Sequence, residues 1–345
     1  MSPHRKWQAI ASVRDRDTVP PVTATFETPL TRQLGIALPI IGGAMYPCSN
    51  PELVAAVSES GGIGVLQPIS LTYVHRYDYR AGIRYIRSLT SKPIGMNALI
   101  EQSSKTYHAR MTQWIDIALE EGVRFFVTSL GNPKWVVERV ESVGGVVYHD
   151  VTERKWAMKG LDAGVHGLIA VNSEAGGHAG PRDPRRLFDE LADIGLPLVC
   201  AGGVSDAATF RNALAIGYAG VQMGTRLIAT TECTAHDDYK KAIVDAAASD
   251  IVLTERLTGV PVAVIRNEYV SRIGTKAGPI ARWMLRGRKT KHWMRTIYAL
   301  TSLRKLKQSL KTGSGRDDYW QAGRSVAAID SVLPVSEVIR RMTAD

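Results

Sequence analysis

Eight short apolar runs, separated by segments of helical length, constrain this chain more than any other feature. The runs occupy residues 38–43, 62–67, 93–98, 124–128, 145–148, 166–171, 197–201 and 219–223. The segments between them, at 51–60, 82–89, 108–121, 134–143, 152–163, 184–194 and 206–216, mix apolar and charged residues as amphipathic helices do. Such alternation implies parallel strands joined by crossover helices. The runs are continuously apolar, which fits strands covered on both faces. Eight units in a chain of this length predict an α/β fold, a (β/α)8 TIM barrel. A doubly wound open sheet is the alternative. It is disfavoured because no strand leads into a GxGxxG turn that opens a helix.

The net charge of +10 on 345 residues is concentrated in one place. Residues 269–316 hold thirteen Lys and Arg and no Asp or Glu, while the rest of the chain has 30 Lys and Arg against 33 Asp and Glu. Tryptophan, leucine and arginine recur there at helical spacing, at 280–285 and 291–310, which predicts a small basic helical insert near the C-terminus. The expected organisation is an irregular N-terminal arm at 1–31, a barrel formed by 32–268 and 317–345 with a closing helix at 335–342, and the insert at 269–316. Its cations could meet the phosphates of NADPH or coenzyme A, or an acidic carrier protein; a plain solvated helical face is the other reading. Nucleic acid is not expected, because no stacking motif or binding module accompanies the charge.

Cys48, Cys200 and Cys233 are far apart and show no metal-ligand spacing. A sparse, odd count fits a reducing compartment and argues against a disulfide framework. Residues 1–31 lack the apolar stretch of a secretory signal. No run of about 18 apolar residues offers a membrane span. A cytoplasmic enzyme, monomeric or homodimeric, is the expectation.

In a TIM barrel the ligand-binding groups come from the loops after the strands. Those positions here are Gly43, Ala44 and Met45 after the first run, Asn97 at the end of the third, Ser129 after the fourth, and His149 and Asp150 after the fifth. The sixth run leads into Ser173, Glu174, Ala175, Gly176, Gly177 and His178. Three glycines around one histidine let the backbone approach a flat ligand beside a group that titrates near neutral pH. The seventh and eighth runs end in Gly202 and Gly203, and in Gly224 and Thr225, each just before a helix. Backbone N–H groups at such helix starts make an anion site. Adjacent loops of this kind form the usual phosphate cradle of a barrel, although glycines there also serve tight turns alone. Taken by themselves, these residues imply a phosphorylated ligand. Cys48, Cys200 and Cys233 read as buried structural thiols, and Tyr46, His149, Trp320 and Gln321 are candidates for a substrate pocket.

The order GGAM, GMN, SEAGGHAG, AGGVSD and QMGTR resembles the nitronate monooxygenase family, formerly called 2-nitropropane dioxygenases. The family includes flavin-dependent enoyl-acyl-carrier-protein reductases and NAD(P)H:quinone reductases. The likeness spans roughly residues 39–270 and resumes at Tyr319, Trp320, Gln321, Ala322 and Gly323. It implies a barrel that binds FMN non-covalently, with NAD(P)H as a potential co-substrate. By position, His178 matches the family's catalytic histidine. Ala44 and Met45 match the flavin-edge loop, Asn97 a flavin-contacting asparagine, and Gly202, Gly203, Gly224 and Thr225 the phosphate binders. Some members carry a flavin-contacting lysine where this chain has Asp150, so that contact is not carried over.

The favoured expectation is oxidation of alkyl nitronates with O2 to carbonyl compounds and nitrite, with His178 as base or as hydrogen-bond donor to the nitro group. The alternative is an NAD(P)H-dependent reductase of quinones or enoyl thioesters, on acyl carrier protein or coenzyme A. A flavin-binding protein without turnover is the third reading.

Overall fold

The computed structural model describes residues 26–101, 105–256, 259–276, 278 and 319–344. Within them the apolar runs form eight parallel strands that close into a barrel, β1 (Ile40–Gly42), β2 (Ile63–Leu66), β3 (Ile94–Leu99), β4 (Phe125–Ser129), β5 (Val146–Val151), β6 (Gly167–Val171), β7 (Leu198–Ala201) and β8 (Gly220–Met223). Each pairs with the next, and β8 returns to β1 with Ile41 opposite Gln222. The fold is a TIM barrel, as the alternation requires.

Eight helices flank these strands, α1 (Pro29–Leu34), α2 (Pro51–Glu59), α3 (Tyr79–Leu89), α4 (Lys105–Glu120), α5 (Lys134–Glu141), α6 (Arg154–Asp162), α7 (Pro184–Leu191) and α8 (Ala207–Ile216). The outward side chains Ile40, Met96, Phe126, Val147, Leu168, Cys200 and Val221 pack in one core with Val54, Ile83, Ile115, Val137, Leu187 and Phe210 of the helices. Both faces of every strand are therefore covered, which explains why the strands read as unbroken apolar runs.

Inside the barrel the register stacks side chains in layers, contributed alternately by even and odd strands. From the N-terminal end these are Ile63, Phe125, Gly167 and Gly220; then Ile41, Gly95, Tyr148 and Val199; then Val65, Val127, Ile169 and Gln222. The last layer, at the C-terminal end, is Gly43, Asn97, Asp150 and Ala201. The lower layers are apolar and interlocked. Phe125 and Tyr148 meet edge to face at 5.5 Å, worth about 1 kcal/mol beyond their buried area. A Cβ on Gly167 would lie 2.3 Å from the Tyr148 ring, so only glycine fits beneath that side chain. Polarity enters only near the mouth, with Gln222, Asn97 and Asp150.

Two expectations need correction. The proposed irregular arm reached residue 31, but α1 already starts at Pro29. Thr28 and Thr31 cap it reciprocally, and Leu30 and Ile36 plug the base of the barrel. A Thr at the third helical position stands where a capping box usually shows Glu or Gln, so the signal was easy to pass over. The fifth strand runs on through His149 and Asp150 to Val151, so neither residue lies in a loop. β8 leads into the short helix α9 (Thr225–Ile228), and Cys233 lies beyond it, buried in irregular chain.

After β8 the chain adds parts the sequence did not announce. These are α10 (Asp237–Asp245), an antiparallel hairpin of β9 (Ile251–Thr254) and β10 (Val262–Ile265), and α11 (Glu268–Ile273). The first residues of the basic segment thus form α11, whose Val270 packs with Val262, Val264 and Tyr319. The two helices expected at 280–285 and 291–310 lie outside the described residues, as does the arm before residue 26. Tyr319 to Gly323 then crosses back over the barrel, and α12 (Val335–Thr343) closes the chain against α2 and α8. No helix of the described residues is long and apolar enough to cross a membrane.

Candidate active site at the C-terminal mouth of the barrel

The loop after β6 is fixed before it reaches its histidine. Asn172 is completely buried; its Nδ2 donates to the Gly202 carbonyl at 3.0 Å, and its Oδ1 accepts from Glu174 N–H at 2.9 Å. One side chain thereby ties the sixth loop to the seventh. Gly177 exchanges backbone hydrogen bonds with Ala263 of β10, and Ile265 donates to the Trp320 carbonyl. Gly323 N–H donates to Thr225 Oγ1 at 2.9 Å, and Arg324 N–H to the Glu174 carbonyl. The hairpin and the C-terminal crossing segment thus clamp the loop from Glu174 to His178. Backbones meet so closely that a Cβ on Gly176 would lie 2.9 Å from Gly323 N, and one on Gly323 2.4 Å from the Glu174 carbonyl oxygen.

His178 stands on this clamped loop with its side chain exposed and with no hydrogen-bond partner among the described residues. The protein around it lowers its pKa from the ordinary imidazole value by desolvation, an effect limited by that exposure. A neutral imidazole open to the mouth can accept a proton.

The neighbouring loops supply a glycine-lined seat. Gly43 donates to the Met223 carbonyl, and a Cβ there would lie 2.9 Å from Gln222 Cγ, so the absence of a side chain leaves Gln222 directly beneath. Met45 N–H donates to Ser49 Oγ at 2.8 Å, and its sulfur lies over Gly224. Ala44 packs at the edge of the interior cluster. Asn97 faces the mouth in the last layer, with Nδ2 donating to the Val127 carbonyl at 3.3 Å. Ser129 ends β4, and its carbonyl accepts from Ile100. The next residue, Leu130, has a φ of +64° and is 62% exposed, a large apolar side chain offered to solvent at the mouth.

Gly202 and Gly203 both take left-handed φ values, +119° and +81°. A Cβ on Gly202 would strike Ala175 N at 2.5 Å, and one on Gly203 would meet the Glu174 carboxylate at 2.0 Å. The helix that follows them is not a free anion site. Asp206 caps α8 with its own carboxylate, accepting from Thr209 N–H at 2.8 Å. The start of the short α9, at Gly224 and Thr225, has no side-chain cap. Its backbone donors are the ones suited to a phosphate, in the arrangement common to barrels of this type.

Two candidates are placed elsewhere. His149 projects from the outer face of β5 toward α6, where Gly160 leaves room for its ring. It pairs with Thr128 Oγ1 at 2.9 Å, and burial lowers its pKa to about 4. It is a core histidine, and a strand that ends three residues later than expected is the reason its face was misread. Trp320 is buried in the main core, stacked on Tyr239 at 6.0 Å, and turned away from the loop. Gln321, its neighbour, does lie by the loop, with Oε1 3.4 Å from where a Gly177 Cβ would be. Tyr46 packs with Tyr319, Val262 and Val264, and burial raises its phenol to about 12.

Sequence reasoning missed Asn172, Ala263 and the clamp. A buried Asn directly after an apolar run was a visible signal for the first. It placed Asp150 in a loop and carried no contact over to it, whereas the residue belongs to the last layer of the barrel. Asp150 Oδ1 and Gln222 Oε1 are buried without a hydrogen-bond partner. Orphaned polar atoms under a glycine-lined seat fit a flat ligand with its own polar edge. No group of His, Cys, Asp and Glu able to hold a metal occurs among the described residues.

The chain is 28% identical to a (3aS,4S,5R,7aS)-5-hydroxy-7a-methyl-1-oxo-octahydro-1H-indene-4-carboxyl-CoA dehydrogenase of Mycobacterium tuberculosis, over 92% of this chain and 95% of that protein. It is 29% identical to a probable nitronate monooxygenase of Staphylococcus saprophyticus, over 71% and 80%. Among solved structures, FabK from Thermotoga maritima superposes with a TM-score of 0.74 at 28% identity, covering 92% of this chain and 94% of that one. A nitroalkane oxidase from Streptomyces ansochromogenes shares the fold, with a TM-score of 0.73 at 24% identity over 91% and 97%. The family model described as nitronate monooxygenase matches residues 27–345, the barrel together with the clamp, so the chain belongs to the nitronate monooxygenase family and is a flavin-dependent oxidoreductase.

Proposed function

We propose that the mouth binds FMN and that the enzyme uses it to oxidise or reduce the acyl part of a coenzyme A thioester. The observation that carries the cofactor assignment is the joined seat. The uncapped start of α9 receives the phosphate, with Gly202 and Gly203 leaving room beside it, while Gly43 to Met45, Asn97 and the polar last layer receive the ring. Bound flavin supplies the electron transfer; the protein supplies position and a proton site. His178 accepts or returns the proton of the substrate carbon at the clamped loop. Leu130 offers an apolar contact at the same end.

Two features favour a thioester over a nitronate. The match to a coenzyme A thioester dehydrogenase runs nearly end to end in both proteins, whereas the probable nitronate monooxygenase matches a smaller share. The thirteen cations of 269–316 also suit the phosphates of coenzyme A or NADPH. Nitronate oxidation is the second reading, favoured by a lone exposed imidazole at the mouth, which can hydrogen-bond an anionic nitronate or take the proton of a neutral nitroalkane before its oxidation.

Anaerobic stopped-flow mixing with NADH, NADPH, propyl 2-nitronate and a short acyl-CoA separates the readings. Bleaching of the flavin band by NADPH followed by its return with crotonyl-CoA, or direct bleaching by a hydroxyacyl-CoA, supports thioester chemistry. Bleaching by the nitronate alone replaces it with the second reading.

A further inference from the structure

We propose that Asp150 is a cofactor-binding residue whose carboxyl group donates a hydrogen bond to a ring carbonyl or ring nitrogen of the flavin. The inference rests on the reading that flavin occupies the mouth, and adds a ring contact that the family resemblance does not carry over.

The placement follows from β5. Val146 and Tyr148 pack with the barrel interior, and Val147 and Val151 with the helices, so Asp150 faces inward. The register sets it beside Ser129 of β4 and Ile169 of β6, in one layer with Gly43, Asn97 and Ala201. No further layer of β5 lies above it, because the strand ends at Val151. A flat ligand seated on this layer rests on two glycine or alanine positions and two polar side chains, Asn97 and Asp150.

The chemistry follows from what surrounds the carboxyl. The residue is half-buried, yet its Oδ1 is sealed from solvent and has no partner. Among the described residues no Lys, Arg or His forms an ion pair with it, and its layer neighbours carry no charge. A bare carboxylate in such a place is disfavoured, so the group keeps its proton to a far higher pH than an ordinary aspartate. Desolvation by burial raises its pKa to about 7, in keeping with that placement. Protonated, it offers one O–H donor. The polar edge of an isoalloxazine presents carbonyl oxygens and ring nitrogens that accept such a bond. A lysine at this position would bring a donor together with a positive charge. Asp150 brings the donor without the charge, so it orients the ring with little bias toward the reduced, more negative form.

The test uses the full-length chain and its Asp150→Asn and Asp150→Leu variants, with far-UV circular dichroism and melting temperature confirming the fold of each. FMN affinity is read by fluorescence quenching and the reduction potential by dye equilibration. The expected result is that Asp150→Asn, which keeps a neutral donor of the same shape, holds wild-type affinity and potential. Asp150→Leu should weaken FMN binding about fivefold or more, the loss of one buried hydrogen bond. Equal affinity in all three proteins overturns the assignment. So does a higher potential in Asp150→Asn, which would mean that the mutation had removed an ionised carboxylate. A wild-type chain that binds no FMN overturns both this proposal and the flavin reading, whereas wild-type binding with indifferent variants overturns this proposal alone.

Discussion

His149 and Asp150 are adjacent in the same strand and shifted in opposite senses by the same force. Desolvation disfavours whichever form is charged, so it drives the histidine down to about 4 and the acid up to about 7. One faces the helices and the other the mouth, and only the second is positioned to touch a ligand. His178 differs from both, being open to the mouth and unpaired. Replacing it with Asn keeps the loop backbone and removes the basic nitrogen. We expect His178→Asn to retain the flavin absorbance and to lower kcat at least tenfold, in the range general-base residues contribute. Unchanged turnover, measured with whichever substrate bleaches the flavin, removes the role given to this imidazole.

At the scale of elements, the loops after β6, β7 and β8 form the proposed ligand-binding edge, and the glycines of the first two were readable because a side chain at Gly176, Gly202 or Gly203 would collide with its neighbours. Gly203→Val is the direct test. A β-branched residue at φ +81° carries roughly 1–2 kcal/mol of backbone strain and crowds Glu174. The expected outcome is a folded but colourless protein; a yellow variant that holds FMN as tightly as wild type takes the phosphate away from this loop. The strands and their order were equally legible, because parallel strands buried on both faces leave continuous apolar runs. What escaped was set by partners rather than by local pattern. The face of His149 depends on where β5 stops, and polar residues at its end imitate a loop. The side of Trp320 is chosen by Tyr239, eighty-one positions earlier in the chain. β9 and β10 are four residues each, and the bridge from Ala263 to Gly177 joins segments far apart in the chain.

At the scale of the whole molecule, a barrel built from one end of the chain is roofed by the other. Gly323 is the tightest point of that contact, with Glu174 O and Gly176 N closing on it from the sixth loop. Gly323→Val should lift the crossing segment off the loop and destabilise the fold by about 2 kcal/mol, the usual scale of overpacking. A lower melting temperature together with faster amide exchange across 174–180 is the expected reading; unaltered exchange there means that the clamp does not hold the loop. The lower layers of the barrel should remain protected, since none of their side chains touches this contact.

The crossing segment has a consequence for biosynthesis. Every barrel strand leaves the ribosome before Gly323 is translated, so the nascent chain can assemble its cylinder while the histidine loop still lacks its lid. The histidine loop is therefore closed late, once the segment around Gly323 has been made, and a message truncated shortly before that codon would leave the loop without its clamp.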